Sequence, residues 1–210
     1  YVIDSLSYTF QTQPSVYIGA MALLGLFIGS FLNVVILRLP LMMQRSWEFQ
    51  CKELLELERS QLEPFNIATP RSRCPQCGHQ LGALENIPVL SYLLQRGRCK
   101  ECSAKISSRY PLIELFTALL SGIVAWKLGF GWQGIFAIVL TWVLIALSFI
   151  DIDHQLLPDD ITLPFLWLGL SLTLFNFFTD MQSAIIGAVA GYLSLWLIYH
   201  GFRLLTRKEG

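Results

Sequence analysis

The chain has 210 residues, 54% of them hydrophobic and 14% charged, with fifteen basic residues against fifteen acidic ones and a mean hydropathy of +0.53. A soluble domain carries roughly a quarter charged residues. This composition excludes a soluble globular enzyme, a disordered regulator and a basic nucleic-acid binder, and it leaves a multi-span membrane protein.

A helix crosses the hydrocarbon core in about 20 apolar residues. No charge occurs from Ser5 to Leu37, and Val16 to Leu37 is predicted as the first span. It lacks the basic start and short apolar core of a cleavable signal peptide. Tyr1 stands where an initiator Met would, so the reading is of a processed start or a fragment. Segment 38–110 differs in composition and contains a helical-looking stretch, Trp47 to Leu62, in which the lone Cys51 has packing value only. Pro111 to Leu128 predicts a second span, with Glu114 and Lys127 near its ends, and Trp132 to Ile150 a third. Ile161 to Thr179, capped by Asp159 and Asp160, predicts a fourth, and Met181 to Phe202 a fifth.

Arg38 to Arg109 holds eleven of the fifteen Lys and Arg and seven of the fifteen acids. An excess of Lys and Arg marks a cytoplasmic loop, which places the N-terminus outside. Alternating the remaining spans puts Asp151 to Asp160 inside, Asp180 outside, and Arg203, Arg207 and Lys208 inside. The second basic cluster therefore falls where the first predicts. Gly25-x-x-x-Gly29 and Gly187-x-x-x-Gly191 are expected to let helix backbones approach closely, with a substrate groove as the other reading. Trp132, Trp142, Trp167 and Trp196 read as interfacial anchors.

Cys74-Pro-Gln-Cys77 and Cys99-Lys-Glu-Cys102 form two C-x-x-C pairs separated by 21 residues. Two such hairpins place four thiolates at tetrahedral corners, the closed geometry of a structural zinc site. Gly78 and Gly97 suit the turns that bring the sulfurs together. A redox pair and an unmetallated module are the competing readings; a fourth-ligand role for His79 adds little with four Cys present. The expected fold is an all-α polytopic membrane protein. It has about five transmembrane helices and a cytoplasmic zinc-binding loop domain between helices one and two. Its organisation is 1–37 as N-terminal segment and first helix, 38–110 as the cysteine loop, and 111–210 as a four-helix membrane part carrying Asp151.

Asp151 follows directly on a long uncharged span and begins the run Asp151-Ile-Asp-His-Gln-Leu-Leu-Pro-Asp-Asp160. A carboxylate at that level is expected to be half desolvated, which favours its neutral form. It is a candidate for acid–base catalysis, against a polar helix end as the bland reading. Peptide hydrolysis by carboxylates needs two that share a proton. Asp153 points about 200° away from Asp151 on a helix, so it is a poor partner. Asp180 belongs to the opposite side. A partner is expected from another helix end at the cytoplasmic face; the end of the fifth span is the candidate place, and there the chain offers only Glu209. His154 reads as a surface hydrogen-bonding group.

Five stretches in order carry a resemblance over nearly the whole chain: Phe27-Ile-Gly-Ser-Phe-Leu-Asn-Val-Val-Ile-Leu-Arg38, the paired C-x-x-C loop, Arg96-Gly-Arg-Cys99, Arg109-Tyr-Pro-Leu-Ile-Glu114 and Asp151-x-Asp-His-x-Leu-Leu-Pro-Asp159. The chain resembles the bifunctional type IV prepilin peptidases. The resemblance implies a multi-pass enzyme of the bacterial inner membrane, in contact with the lipid bilayer. Such an enzyme removes the leaders of prepilins and pseudopilins at the cytoplasmic face and methylates the new N-terminal residue with S-adenosylmethionine. It implies that Asp151 is the first catalytic aspartate and that Cys74, Cys77, Cys99 and Cys102 are the metal-binding tetrad. The family's second aspartate belongs to a Gly-x-Gly-Asp motif that these 210 residues do not include, so the chain as written is expected to bind substrate and hydrolyse it poorly. Gly97 and Glu114 are weak candidates for the methylation step, against a turn glycine and an acid at a helix start. A degenerate scaffold that binds pilin-like helices, and a peptidase without methyl transfer, are the alternatives.

Overall fold

The computed structural model describes residues 2–57, 65–82 and 84–206, in two compact units, Tyr1–Pro158 and Asp159–Gly210. The described structure is helical, with two isolated β-bridges. Four helices are long and apolar enough to cross a membrane: Pro14–Leu54, Arg109–Leu128, Trp132–His154 and Met181–Thr206.

The first unit begins with α1 (Val2–Thr12), a helix that hydropathy alone does not announce. Gln13 breaks it, and Pro14 opens α2 (Pro14–Leu54), a position where its missing N–H costs nothing. Phe10 of α1 folds back against Tyr17 of α2, with ring centroids 5.4 Å apart. The expected first span stops at Leu37, but α2 continues through the buried Pro40. Its 41 residues measure about 60 Å, twice the roughly 30 Å of hydrocarbon. The helical-looking stretch that starts at Trp47 is the tail of α2. That tail ends at Leu54, with Glu56 in the left-handed region. Positions 58–62 lie outside the described residues.

The short α3 (Leu90–Leu94), α4 (Arg109–Leu128) and α5 (Trp132–His154) complete the unit. The two glycines of α2 set its distance from α4. A Cβ at Gly25 would stand 2.8 Å from the Ala118 Cα, and one at Gly29 would stand 2.7 Å from the Glu114 Cα. Close helix packing is therefore what this G-x-x-x-G does. Hydroxyls in the seam are satisfied locally: Thr117 donates to the Ile113 carbonyl and Ser121 to the Thr117 carbonyl, each at 2.7 Å. The Trp142 indole donates to the Ser121 hydroxyl at 2.8 Å. Trp142 thus ties α5 to α4 within the bundle, which corrects its reading as an interfacial anchor. Tyr17, Ala125 and Ile138 cluster at one end of the bundle; Leu32, Ile36, Ile113, Ile145, Ala146 and Ile150 cluster at the other. The three helices accordingly alternate in direction.

In the second unit, α6 (Asp159–Thr173) has 15 residues, about 22 Å of helix, where a span to Thr179 was expected. Tight turns from Leu174 to Asn176 end it, and Asn176 takes a left-handed φ of 53°. Asp159 and Asp160 form its first turn instead of preceding it. Asp180 caps α7 (Met181–Thr206), accepting from the Ser183 N–H at 2.9 Å and the Ser183 hydroxyl at 2.7 Å. Gly187 and Gly191 meet no neighbour within their own unit, so their expected helix contact is not made there. Arg207, Lys208 and Glu209 lie outside the described residues.

Candidate functional site

The end of the bundle marked by Ile36, Ile113 and Ile150 gathers the chemistry-bearing residues of the first unit. There α2 leaves the apolar cluster, α4 begins and α5 stops. Asn33 of α2 donates to the Tyr110 carbonyl at 3.1 Å, stitching the first two together. Arg38 spends its guanidinium on the carbonyls of Asn66, Ile67 and Pro70, fixing the chain that enters the cysteine module.

The module consists of two matching knuckles. In the first, the Cys74 N–H donates to the His79 carbonyl and the Gly78 N–H to the Cys74 carbonyl. In the second, the Cys99 N–H donates to the Ala104 carbonyl and the Ser103 N–H to the Cys99 carbonyl. Both turns need a left-handed residue four positions after the first Cys. Gly78 fills it at φ 74°, and Ser103 fills it in the second knuckle at φ 59°. Sequence reasoning missed Ser103 because serine carries no glycine signature. Gly97, at φ 67°, makes the turn expected of it ahead of the second knuckle. Its Cα faces the Tyr92 ring so closely that a Cβ would sit 2.9 Å from the ring's Cζ and hydroxyl.

The four sulfurs lie within 4.8 Å of one another, with Cys74 to Cys102 at 3.8 Å and Cys77 to Cys99 at 3.9 Å. Tetrahedral zinc with bonds of about 2.3 Å places its sulfurs about 3.8 Å apart. The donor set and its spacing fit that ion. The backbone N–H groups of Cys77 and Gln76 point at the Cys74 sulfur and hold its thiol at about 6. For Cys77, the His79 N–H pulls downward, but loss of water and the three neighbouring sulfurs win and push it up to about 12. Without a cation, Cys74 therefore takes up negative charge readily while Cys77 resists it. His79 is engaged elsewhere, its Nε2 3.1 Å from Glu85 Oε2.

Asp151 sits on the last turn of α5, at the same end of the bundle as the module. It is exposed, so packing within its unit does not supply the desolvation that the sequence led us to expect. Its position is nevertheless fixed. The Gln155 N–H closes the helix on the Asp151 carbonyl at 2.8 Å; Ile150 before it and Pro158 after it are buried. Asp153 is occupied by both arms of Arg109, the Nη1 to Oδ1 contact being 2.8 Å. This fork joins the start of α4 to the end of α5 across 44 residues of sequence, and no spacing rule could have found it. Glu114 is turned inward, 7% exposed, and its Oε2 accepts from the Val89 N–H at 2.7 Å.

Residues 23–128 match the bacterial peptidase A24 N-terminal domain, and residues 138–210 match the type IV leader peptidase family. The chain is 53% identical over 203 residues to the prepilin leader peptidase/N-methyltransferase of Stutzerimonas stutzeri, covering 95% of this chain and 69% of that protein. It is 51% identical over 200 residues to the protein of the same name from Pseudomonas aeruginosa, again covering 95% and 69%. Against that of Dichelobacter nodosus it is 48% identical over 210 residues, covering 98% and 73%. No solved structure matches the chain. The cysteine tetrad falls within the first matched region, Asp151 falls within the second, and the chain belongs to the type IV leader peptidase family.

Proposed function

We propose that this protein is a prepilin leader peptidase and N-methyltransferase of the bacterial inner membrane. In this reading its N-terminus is periplasmic, and segment 38–110 and Asp151 are cytoplasmic. The observation that carries it is about half identity, across 95% of the chain, to proteins bearing that name. The orientation follows from the basic residues of segment 38–109, which the Arg109–Asp153 fork ties to the helix end bearing Asp151.

Prepilins and pseudopilins are the substrates, each presenting an apolar helix to the membrane spans and its leader junction to the basic end of the bundle. Asp151 serves as one carboxyl of a proton-sharing pair that activates water and polarises the scissile carbonyl. Arg109 neutralises Asp153, which keeps a second free carboxylate from crowding Asp151 along its own helix. The partner carboxyl comes from another helix end. Cys74, Cys77, Cys99 and Cys102 would hold zinc through four thiolates, a closed donor set, so the ion would supply structure and not a nucleophile. S-adenosylmethionine would supply an electrophilic methyl group for the freed, deprotonated amine.

In the protein with the family's Gly-x-Gly-Asp aspartate in place, Asp151→Asn should abolish leader release from a prepilin while membrane insertion is unchanged. Mass spectrometry of the processed prepilin reads both the lost leader and the added methyl. Normal leader release by the variant would sink the assignment of Asp151. A shortened but unmethylated wild-type product would leave a peptidase alone.

A further inference from the structure

A cavity of about 570 Å³ lies within the first unit, between the cysteine module and the start of α4. Pockets of roughly 300–1,000 Å³ hold ligands of cofactor size. Many of the charges around this one are already spent. Arg38 is bound to three carbonyls, and Glu85 holds the Gly82 N–H and His79. Two kinds of charge remain. At the membrane end stands Glu114, nearly buried, with one oxygen on the Val89 N–H and no Lys or Arg paired with it among the described residues. Toward the module stand Arg71, Arg73, Lys100 and Lys105, none of them in an ion pair among the described residues. Tyr92 adds an aromatic wall and Asn33 a buried amide.

A buried carboxylate without a cation is costly, and a ligand that brings the cation relieves that cost. The basic rim asks for a negative group on the same ligand. A phosphate ester would satisfy the rim and be repelled by Glu114; a simple amine would satisfy Glu114 and leave the rim unused. S-adenosylmethionine carries a sulfonium, an ammonium and a carboxylate, and it is of cofactor size. We infer that this cavity is the S-adenosylmethionine site, with Glu114 facing the ligand's cationic centre and the Arg71–Arg73–Lys105 rim facing its carboxylate. The inference rests on the methyltransferase reading and gives that reading a location. Glu114 then does not act as a base; it favours a cationic sulfur over a neutral one.

That last property provides the test. S-adenosylhomocysteine has the same groups but a neutral thioether in place of the sulfonium. Binding of each ligand to the purified full chain is measured by equilibrium dialysis, alongside zinc content as a check on the module. The wild type should prefer S-adenosylmethionine. Glu114→Gln, which keeps an acceptor for the Val89 N–H, should weaken S-adenosylmethionine by about tenfold or more and leave S-adenosylhomocysteine nearly unchanged. Lys127→Gln, a charge loss at the other end of α4, should alter neither. Unchanged preference in Glu114→Gln overturns the site while leaving the methyltransferase reading intact. A wild type that binds neither ligand overturns both. Should Glu114→Gln lose its zinc, Arg73→Glu at the exposed rim decides: weakened binding of both ligands supports the site, and full binding overturns it.

Discussion

The helix bundle and the cysteine module occupy adjoining stretches of one unit, yet they are held together by different physics. In the bundle, α2 and α4 approach until a single Cβ at Gly25 or Gly29 would strike the neighbouring backbone. Lipid tails are as apolar as leucine, so such contact, and not burial from water, drives association there. The module has almost no core. From 65 to 108 the buried side chains among the described residues are Cys74, Pro88 and Cys99, while Leu93 and Leu94 of α3 are 64% and 75% exposed. The bundle carries its stability in its own atoms. The module, with its four sulfurs crowded together, carries it in whatever balances their charge.

The largest expected effect breaks the module and spares the bundle. In small domains of this kind, structural zinc contributes about 10–16 kcal/mol to folding. Cys99→Ser should therefore release the metal and speed tryptic cleavage at Arg71, Arg73, Arg96 and Arg98 by roughly tenfold or more. The bundle helices should stay protected and the protein should stay in the membrane. Metal content by mass spectrometry and peptide mapping over time read the two parts separately. Equal loss of protection in α4 and α5 would show that the regions are one cooperative unit.

The converse change acts on the bundle alone. Gly29→Leu drives a side chain into the Glu114 backbone, which has no rotamer to yield, and overpacking of this kind costs about 1–3 kcal/mol. Gly19→Leu lies on the same helix with nothing within 4 Å, and it should cost nothing. Unfolding in mixed micelles, followed by helical circular dichroism, compares the two. Zinc content should be unaltered in both. Leucine favours a helix more than glycine does, so if Gly19→Leu proved as damaging as Gly29→Leu, close approach to α4 would not be the cause.

The two regions also differ in how much of them was legible. Span positions, the G-x-x-x-G seam and the tetrad are periodic or evenly spaced features, and the chain writes those in one dimension. Ser103 was hidden because the αL position it fills is set by the knuckle and not by its side chain. Trp142 looked like an anchor because hydropathy cannot tell a lipid-facing indole from one donating to Ser121. The short α6 escaped because the residues from Leu174 to Thr179 are as apolar as a helix needs, while a left-handed Asn176 turns the chain. Above all, the Arg109–Asp153 fork and the Glu114 contact with Val89 join positions far apart in sequence. Their partners follow from the packing of α4, and nothing local announces them.

The smallest expected effect separates the module's polar scaffold from its cysteine tetrad. Glu85 accepts from the Gly82 N–H at 2.8 Å and pairs with His79; that N–H first, and then the imidazole, hold its carboxyl below the ordinary range. A depressed folded-state value means that the contribution is present above the unfolded carboxylate's value and is lost as pH falls through the folded one. Its window therefore lies below about pH 4. Amide exchange at Gly82 should rise there, and Glu85→Gln should flatten that rise while leaving zinc content at neutral pH unchanged. Acid also protonates the thiolates and expels metal, so the comparison is made with the variant at each pH and not with neutral protein. If both proteins opened together along one acid curve, metal release alone would govern the loop, and the Glu85 hydrogen bonds would contribute nothing separable from it.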